Sequence, residues 1–278
     1  MPHFETKHTT HDGIELYLQA WIPDEAKAGI LLLHGLAEHS GRYAYMAEKL
    51  NAAGYAVYTF DGRNHGKSAT GKPNGFVESV AEYEKDIDAL LKKTIEHMDG
   101  KPVFLIGHSM GGGLAANYVI NHKPNIQGVV LSGAAVMAGD DISPFLIRIS
   151  KILSSITPKL ATTKFDGDSI SRDPEIVSLY NSDPLNYRGG MPARTGAQLL
   201  SVIENIQANA SKISLPILIM HGTADRITNV KGSSFLNENV STSDKTLKLY
   251  DGLYHEIFNE PEKDEVIGDV IAWLDARV

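Results

Sequence analysis

The chain has 278 residues and a formal net charge of −8, with no cysteine. That length suits one large domain with a sizeable core. The acidic balance argues against a general affinity for nucleic acid or anionic membrane. The lack of cysteine excludes disulfides, thiolate catalysis and cysteine-ligated metal.

The opening residues, Met1 to Lys7, show no basic region followed by an apolar one, so no signal peptide is expected. No apolar run approaches the ~18 residues of a membrane span. The expectation is a soluble cytoplasmic protein, at most peripheral to a membrane. Residues 14–22 alternate, with Ile14, Leu16 and Leu18 on one face, which predicts an antiparallel edge strand. Short, continuously apolar runs follow at 30–33, 55–60, 103–106, 129–131 and 217–220, each reading as a strand buried on both faces of a parallel sheet. Amphipathic stretches at 43–52, 80–98 and 112–121 predict helices between them. A last strand is expected at 247–250 and a closing helix at 262–276. The alternation predicts a mostly parallel, doubly wound α/β sheet.

The alternation breaks between Ala135 and Ala197. The run from Phe145 to Ile156 is apolar over most of a helical circumference, and turn residues crowd after it, as in Asp166-Gly167-Asp168, Arg172-Asp173-Pro174 and Ser182-Asp183-Pro184. This predicts a helical cap at 136–197, inserted between core segments 1–135 and 198–278. Phe145, Ile149, Ile152 and Leu153 are its candidate substrate-binding residues. The apolar arc is wider than one buried stripe requires.

Gly107-His108-Ser109-Met110-Gly111 reads G-x-S-x-G, between an apolar strand and a helix. That context marks a nucleophile elbow, a turn so tight that side chains at 107 and 111 would clash. It presents the Ser109 hydroxyl at a helix N-terminus, where free N–H groups favour developing negative charge. A serine nucleophile needs a base, and the base needs an orienting acid. Asp225 follows the strand at 217–220, and His255 follows the strand at 247–250. Both fall on loops at the rim that carries Ser109. Glu256, Asp251 and His221 are weaker rivals. His221 is expected to pack against the strand end. The oxyanion needs two donors. They are expected to be the backbone N–H groups of Met110 and of Leu36, in the loop His34-Gly35-Leu36-Ala37-Glu38-His39. His34 and His39 suggest zinc at first sight, but no third ligand sits at metal-site spacing. No metal and no cofactor are expected. Asp61 to Ser68 contains G-K-S without the upstream phosphate-loop spacing, so bracing of a turn is the better reading.

Taken together, these motifs resemble the monoacylglycerol lipase (monoglyceride lipase) and lysophospholipase branch of the serine α/β-hydrolases. The resemblance rests on His34 to Tyr43, Phe60 to Ser68, Gly107 to Gly111, Tyr180-Asn181-Ser182-Asp183-Pro184-Leu185, Gly222 to Arg226, and Lys245 to Tyr250 with Tyr254-His255. It implies the triad Ser109, Asp225 and His255, with Leu36 and Met110 as oxyanion donors. It also implies an apolar cap over an acyl tunnel, and fatty-acid monoesters of glycerol as substrates. Two departures stand out. The mammalian members carry cysteines near the site and this chain has none. Leu36 also stands where members often have a small residue, which would narrow the acyl pocket. The expected activity is therefore monoacylglycerol hydrolysis through an acyl-enzyme. A lysophospholipase or short-chain carboxylesterase is the alternative, and a non-catalytic binding protein a remote one. The expected partner is a small lipid ester, with weak, transient contact of the cap with membrane or micelle.

Overall fold

The computed structural model describes residues 3–137, 153–164 and 166–278. Its strands are β1 (His3–Thr9), β2 (Glu15–Trp21), β3 (Ala28–Leu33), β4 (Tyr55–Phe60), β5 (Val103–His108), β6 (Gly128–Ser132), β7 (Ile217–Gly222) and β8 (Lys245–Tyr250). They form one sheet in the order β1-β2-β4-β3-β5-β6-β7-β8. β2 is antiparallel to both β1 and β4, and every pairing from β4 to β8 is parallel. The helices are α1 (Ala44–Ala52), α2 (Val80–Met98), α3 (Met110–His122), α4 (Pro174–Ser182), α5 (Ala193–Asn209), α6 (Val230–Asn239) and α7 (Lys263–Asp275).

The continuously apolar runs become strands covered on both faces. Every residue of β3, β5, β6 and β7 is buried. Successive side chains alternate between two cores, as the period of a strand demands. Leu31, Leu33 and Leu105 pack with residues of α2, α3 and α5 on one face. Ile30, Leu32, Phe104 and Ile106 pack with residues of α1 and α7 on the other, where Phe104 meets Trp273 edge-on at 6.0 Å.

The segment at 14–22 is not an edge strand. β1 pairs along the whole of β2 and takes the edge. β1 is exposed at nearly every position. It is held by the backbone ladder rather than by an apolar face, so it carries no hydrophobic period to detect. β2 is correspondingly covered, with Leu16 fully buried and Ile14 at the surface.

The strand order reverses between β3 and β5, which lie side by side. Chain segments leaving two such strands diverge, and a crevice opens outside their C-terminal ends. The loop at 34–39 leaves β3 there, and the Ser109 turn leaves β5. Between β6 and β7 the described residues form a helical turn at 153–156, α4 and α5. α4 begins at Pro174 behind the Asp173 cap and buries none of its residues. α5 spans residue 197, and its Val202 and Ile206 join the core beside α3.

Leu105 is fully buried at the centre of the sheet. Leu105→Ala should lower stability by about 2–5 kcal/mol, since the surrounding strands cannot collapse onto the cavity. The reading is a fall in the urea midpoint at constant slope. An unmoved midpoint would contradict close packing at this position.

Candidate active site

Ser109 stands between β5 and α3 at φ +54°, a backbone state that side chains rarely adopt and that costs on the order of 1–3 kcal/mol. The turn is over-determined by its surroundings. The Ser109 N–H donates to the Ser132 carbonyl at 2.9 Å, and the Ser109 carbonyl accepts from Gly113 and Ala135, each at 3.0 Å. The two glycines are required by close approach. A Cβ on Gly111 would lie 2.5 Å from the His34 carbonyl oxygen, and one on Gly107 would lie 2.6 Å from the Gly111 carbonyl carbon. Met110 is the first residue of α3 and is buried.

Asp225 and His255 lie 30 residues apart in sequence and meet. His255 Nδ1–H donates to Asp225 Oδ2 at 2.7 Å. The other Asp225 oxygen accepts from the backbone N–H groups of Ile227 at 2.7 Å and Thr228 at 3.0 Å. Oδ2 also accepts from His221 Nε2 at 2.9 Å, and Thr228 Oγ1 lies 2.8 Å from Oδ2 and 2.9 Å from the Gly133 carbonyl, with one proton for the two. Burial works against ionisation of Asp225, but His255, His221 and these donors outweigh it and hold its pKa far below the carboxylate range. Burial likewise disfavours a charged His255, yet the Asp225 carboxylate outweighs it, so the His255 pKa is raised above 6.5. His108 sits 4.7 Å from the His255 ring. Burial first, and then His255, push the His108 pKa down to about 3, which keeps its ring neutral. Of the rivals to the acid and base, Glu256 pairs elsewhere and Asp251 accepts from Thr223 Oγ1 at 3.2 Å. His221 is buried at the end of β7, as expected, but it also touches Asp225, which the sequence did not signal.

The loop after β3 is fixed by its own side chains. His34 Nδ1 donates to the Gly35 carbonyl at 2.7 Å, and its Nε2 accepts from the Gly62 N–H at 2.9 Å. His39 Nε2 donates to Asp183 at 2.9 Å, and its Nδ1 accepts from the Gly41 N–H at 3.2 Å. Both rings therefore spend both nitrogens on bracing. The Asp61 carboxylate accepts from the Ser40 N–H at 2.8 Å and the Lys67 N–H at 2.7 Å, which uses the G-K-S turn as a brace as well. The one cluster of potential metal ligands among the described residues is His11, Asp12 and Glu82, at the surface away from this site. Ala37 takes φ +67°, which turns the chain at Leu36.

A charge network unseen from sequence ties this loop to His255. Arg42 bridges Glu38 at 2.7 Å and Glu256 at 2.5 and 2.7 Å. Glu38 also accepts from the Gly35 N–H and the Tyr43 hydroxyl, each at 2.6 Å. Burial opposes the Glu38 charge, but Arg42 and these donors hold its pKa down at about 2. The i,i+4 spacing of Glu38 and Arg42 was the visible half of this signal.

Ser109, His255, His108, Leu36, Glu38, Tyr180, Ile227 and Glu256 line one small cavity of about 40 Å³. Asp166, Gly167 and Tyr180 also line a neighbouring cavity of about 380 Å³. Phe145, Ile149 and Ile152 lie outside the described residues. Leu153 is half-buried, and Ile156, at the end of the predicted arc, is 73% exposed. Two hydrogen bonds fix the loop after α4 to the segment after β3: Tyr187 N–H to the Ala37 carbonyl at 2.9 Å, and His39 to Asp183.

Arg42→Ala should strand two buried carboxylates and cost about 3–5 kcal/mol of stability. Arg42→Lys should recover only part, because an ammonium cannot match the forked pairing with Glu256. Thermal unfolding of both variants tests this. A loss within about 0.5 kcal/mol for Arg42→Ala, the range of an ordinary surface substitution, would show that the network contributes nothing.

Comparison with known proteins gives one consistent result. The family profile described as "Serine aminopeptidase, S33" matches residues 24–262. The chain is 37% identical to the "Monoacylglycerol lipase" of Mycolicibacterium smegmatis, over 94% of this chain and 93% of that protein. It superposes on the crystal structure of the Paleococcus ferrophilus monoacylglycerol lipase with a TM-score of 0.85 and 34% identity, covering 95% of this chain and 99% of that one. A soluble variant of the Saccharomyces cerevisiae monoglyceride lipase, in complex with a substrate analog, gives a TM-score of 0.88 at 27% identity, covering 98% and 95%. The chain has the α/β-hydrolase fold and belongs to the monoacylglycerol lipase branch of the serine α/β-hydrolases.

Proposed function

We propose that this serine hydrolase cleaves monoacylglycerols to fatty acid and glycerol, with Ser109 as nucleophile, His255 as base and Asp225 as the orienting acid. The observation that carries the assignment is the 2.7 Å bond from His255 Nδ1 to Asp225 Oδ2, in a ring that lines the same cavity as Ser109. That bond commits Nδ1 and leaves Nε2 as the basic nitrogen. Nε2 takes the Ser109 proton as Oγ attacks the ester carbonyl carbon. The oxyanion accepts from the backbone N–H groups of Met110 and Leu36. Collapse breaks the bond to the glycerol oxygen, which leaves with the proton from Nε2. Water, deprotonated by the same nitrogen, then attacks the acyl-enzyme, and the fatty acid departs as the proton returns to Ser109.

The choice of substrate is supported by the relatives' names and by a cap at 136–197 between core segments 1–135 and 198–278. We propose that Leu153, which is half-buried, contributes to its acyl-binding lining. Ile156, Leu160 and Leu179 are exposed apolar residues within it, which supports transient docking on a membrane or micelle. Among the described residues no helix is long and apolar enough to cross a membrane. One observation favours a second reading, lysophospholipase activity. The adjoining chamber carries both cations and anions, Lys164 and Arg188 with Asp166 and Asp168, which suits a zwitterionic head group. A hydrolysis panel of monoacylglycerols and lysophospholipids of matched chain length separates the two. Preference for the lysophospholipids would overturn the first.

Ser109→Ala should lose on the order of 10⁴-fold in hydrolysis. A fluorophosphonate probe should label the wild type and miss the variant. Full labelling of Ser109→Ala would locate the nucleophile elsewhere. The base must be neutral to act, and Asp225 raises its pKa, so kcat/KM should rise with pH through a midpoint above 6.5. In Asp225→Asn the largest opposition to the burial of the ring is gone, with only Glu256 and Glu38 left against it, and the midpoint should fall. Ile156→Asp should impair hydrolysis of micellar long-chain monoacylglycerol while sparing a short soluble ester. Equal losses on both substrates would rule out docking there.

A further inference from the structure

We infer that His221 is a positioning residue for this reaction: its Nε2–H occupies the same Asp225 oxygen that orients His255, and so limits how strongly that oxygen draws on the His255 Nδ1–H. The inference rests on the proposed roles of Asp225 and His255.

The geometry is a line of four groups. Ser233 Oγ, on α6, lies 2.7 Å from His221 Nδ1. His221 Nε2 lies 2.9 Å from Asp225 Oδ2, and Oδ2 lies 2.7 Å from His255 Nδ1. His221 and Ser233 are fully shielded from solvent. An ionised carboxylate only accepts, so His221 Nε2 carries a proton. At the other end of the ring Nδ1 is paired with the Ser233 hydroxyl, so the ring is held at both ends, by α6 as well as by the β7 loop. Thr228 Oγ1 also reaches Oδ2 at 2.8 Å, but it lies 2.9 Å from the Gly133 carbonyl and has one proton to give. His221 is therefore the second constant donor on the oxygen that matters.

Two donors on one oxygen compete for its electron density. Withdrawing one leaves Asp225 a stronger acceptor and stabilises the charged form of His255. The other groups facing the pair stay in place: His108 against the His255 ring, and Glu256 and Glu38 with Arg42 between them. The removal of His221 therefore moves the titration of His255 in one direction, upward. It also loosens the carboxylate, because Oδ2 loses one of its fixed anchors. Substrate contacts are not altered, so the effect falls on kcat more than on KM.

The test is the pH profile of kcat/KM on a short soluble ester. His221→Phe combined with Ser233→Ala fills the volume and leaves no hydroxyl unpaired. Its acid limb should move up by roughly half a pH unit or more, with kcat down roughly three- to tenfold per fluorophosphonate-labelled site. His221→Gln returns an amide N–H within reach of Asp225 and should keep the wild-type limb. A folded, fully labelled Phe/Ala pair with an unmoved limb would overturn the inference. So would a Gln variant that moves as far as the pair. If the pair does not fold, His221→Asn, whose amide is too short to reach, should still raise the limb, and a wild-type limb there would overturn it. Asp225→Asn separates the two levels. If the proposed triad is wrong, that variant leaves rate and limb untouched. If only the role of His221 is wrong, it moves both, and the His221 variants move neither.

Discussion

The site depends on one close approach, that of the Gly111 backbone to the Leu33 and His34 carbonyls at the end of β3. Parallel pairing brings β3 and β5 side by side, but pairing alone leaves the chain ends several ångströms apart. The missing Cβ lets the first turn of α3 settle onto the end of β3. Two segments that leave their strands in divergent directions are thereby locked together at their origin. The Ser109 turn then cannot relax from φ +54°, because its carbonyl is held by Gly113 and Ala135 and its N–H by Ser132. The strain is stored by packing that the rest of the sheet supplies.

Around that contact the protein sorts buried charge into separate duties. Glu38, Arg42 and Glu256 neutralise one another and join the loop after β3 to the loop bearing His255. Asp225 keeps its charge by filling both oxygens with donors. The buried histidines diverge accordingly. For His34, His65 and His108, burial is the leading cause and the pKa goes down, so these rings serve as neutral struts. For His255 the carboxylate outweighs burial and the pKa goes up. A ring displaced downward is a poor base near neutral pH. His255, the ring displaced upward, is the better proton acceptor of the four. The difference lies in the partner, since all these rings are buried.

Most of the fold was legible because the sheet is buried on both faces. Continuous apolar runs have few other readings when amphipathic helices alternate with them, and the boundaries of α2 were visible to the residue. β1 was invisible because its stability comes from the ladder and its side chains face water. The geometry of the Ser109 turn was legible because a local motif fixes it, at Gly107 to Gly111. The wider site was not. Glu256 lies 214 residues from Arg42, and nothing near it in sequence names that partner. His221 was read as packing against the strand end, which it does. Burial of a polar ring says that both nitrogens must be satisfied. It does not say that one of them is satisfied by the carboxylate four residues later.

The segment between β6 and β7, the proposed cap, meets the rest of the chain with two kinds of surface. Beside the reacting groups it is hydrogen-bonded: Tyr187 to Ala37, and Asp183 to His39. Ala37 holds the turn at Leu36, so the position of the cap loop and the position of a proposed oxyanion donor are set by the same bonds. Hydrogen bonds are directional, and they transmit placement to a fraction of an ångström. Farther out, at Ile156, Leu160 and Leu179, the cap offers exposed apolar side chains. Apolar contact is non-directional and tolerates a fluid partner. A net charge of −8 gives an anionic lipid surface no general attraction to this chain. Directional contact near Ser109 and adaptable contact at the rim would suit the proposed substrate, whose carbonyl must be placed and whose tail need only be covered.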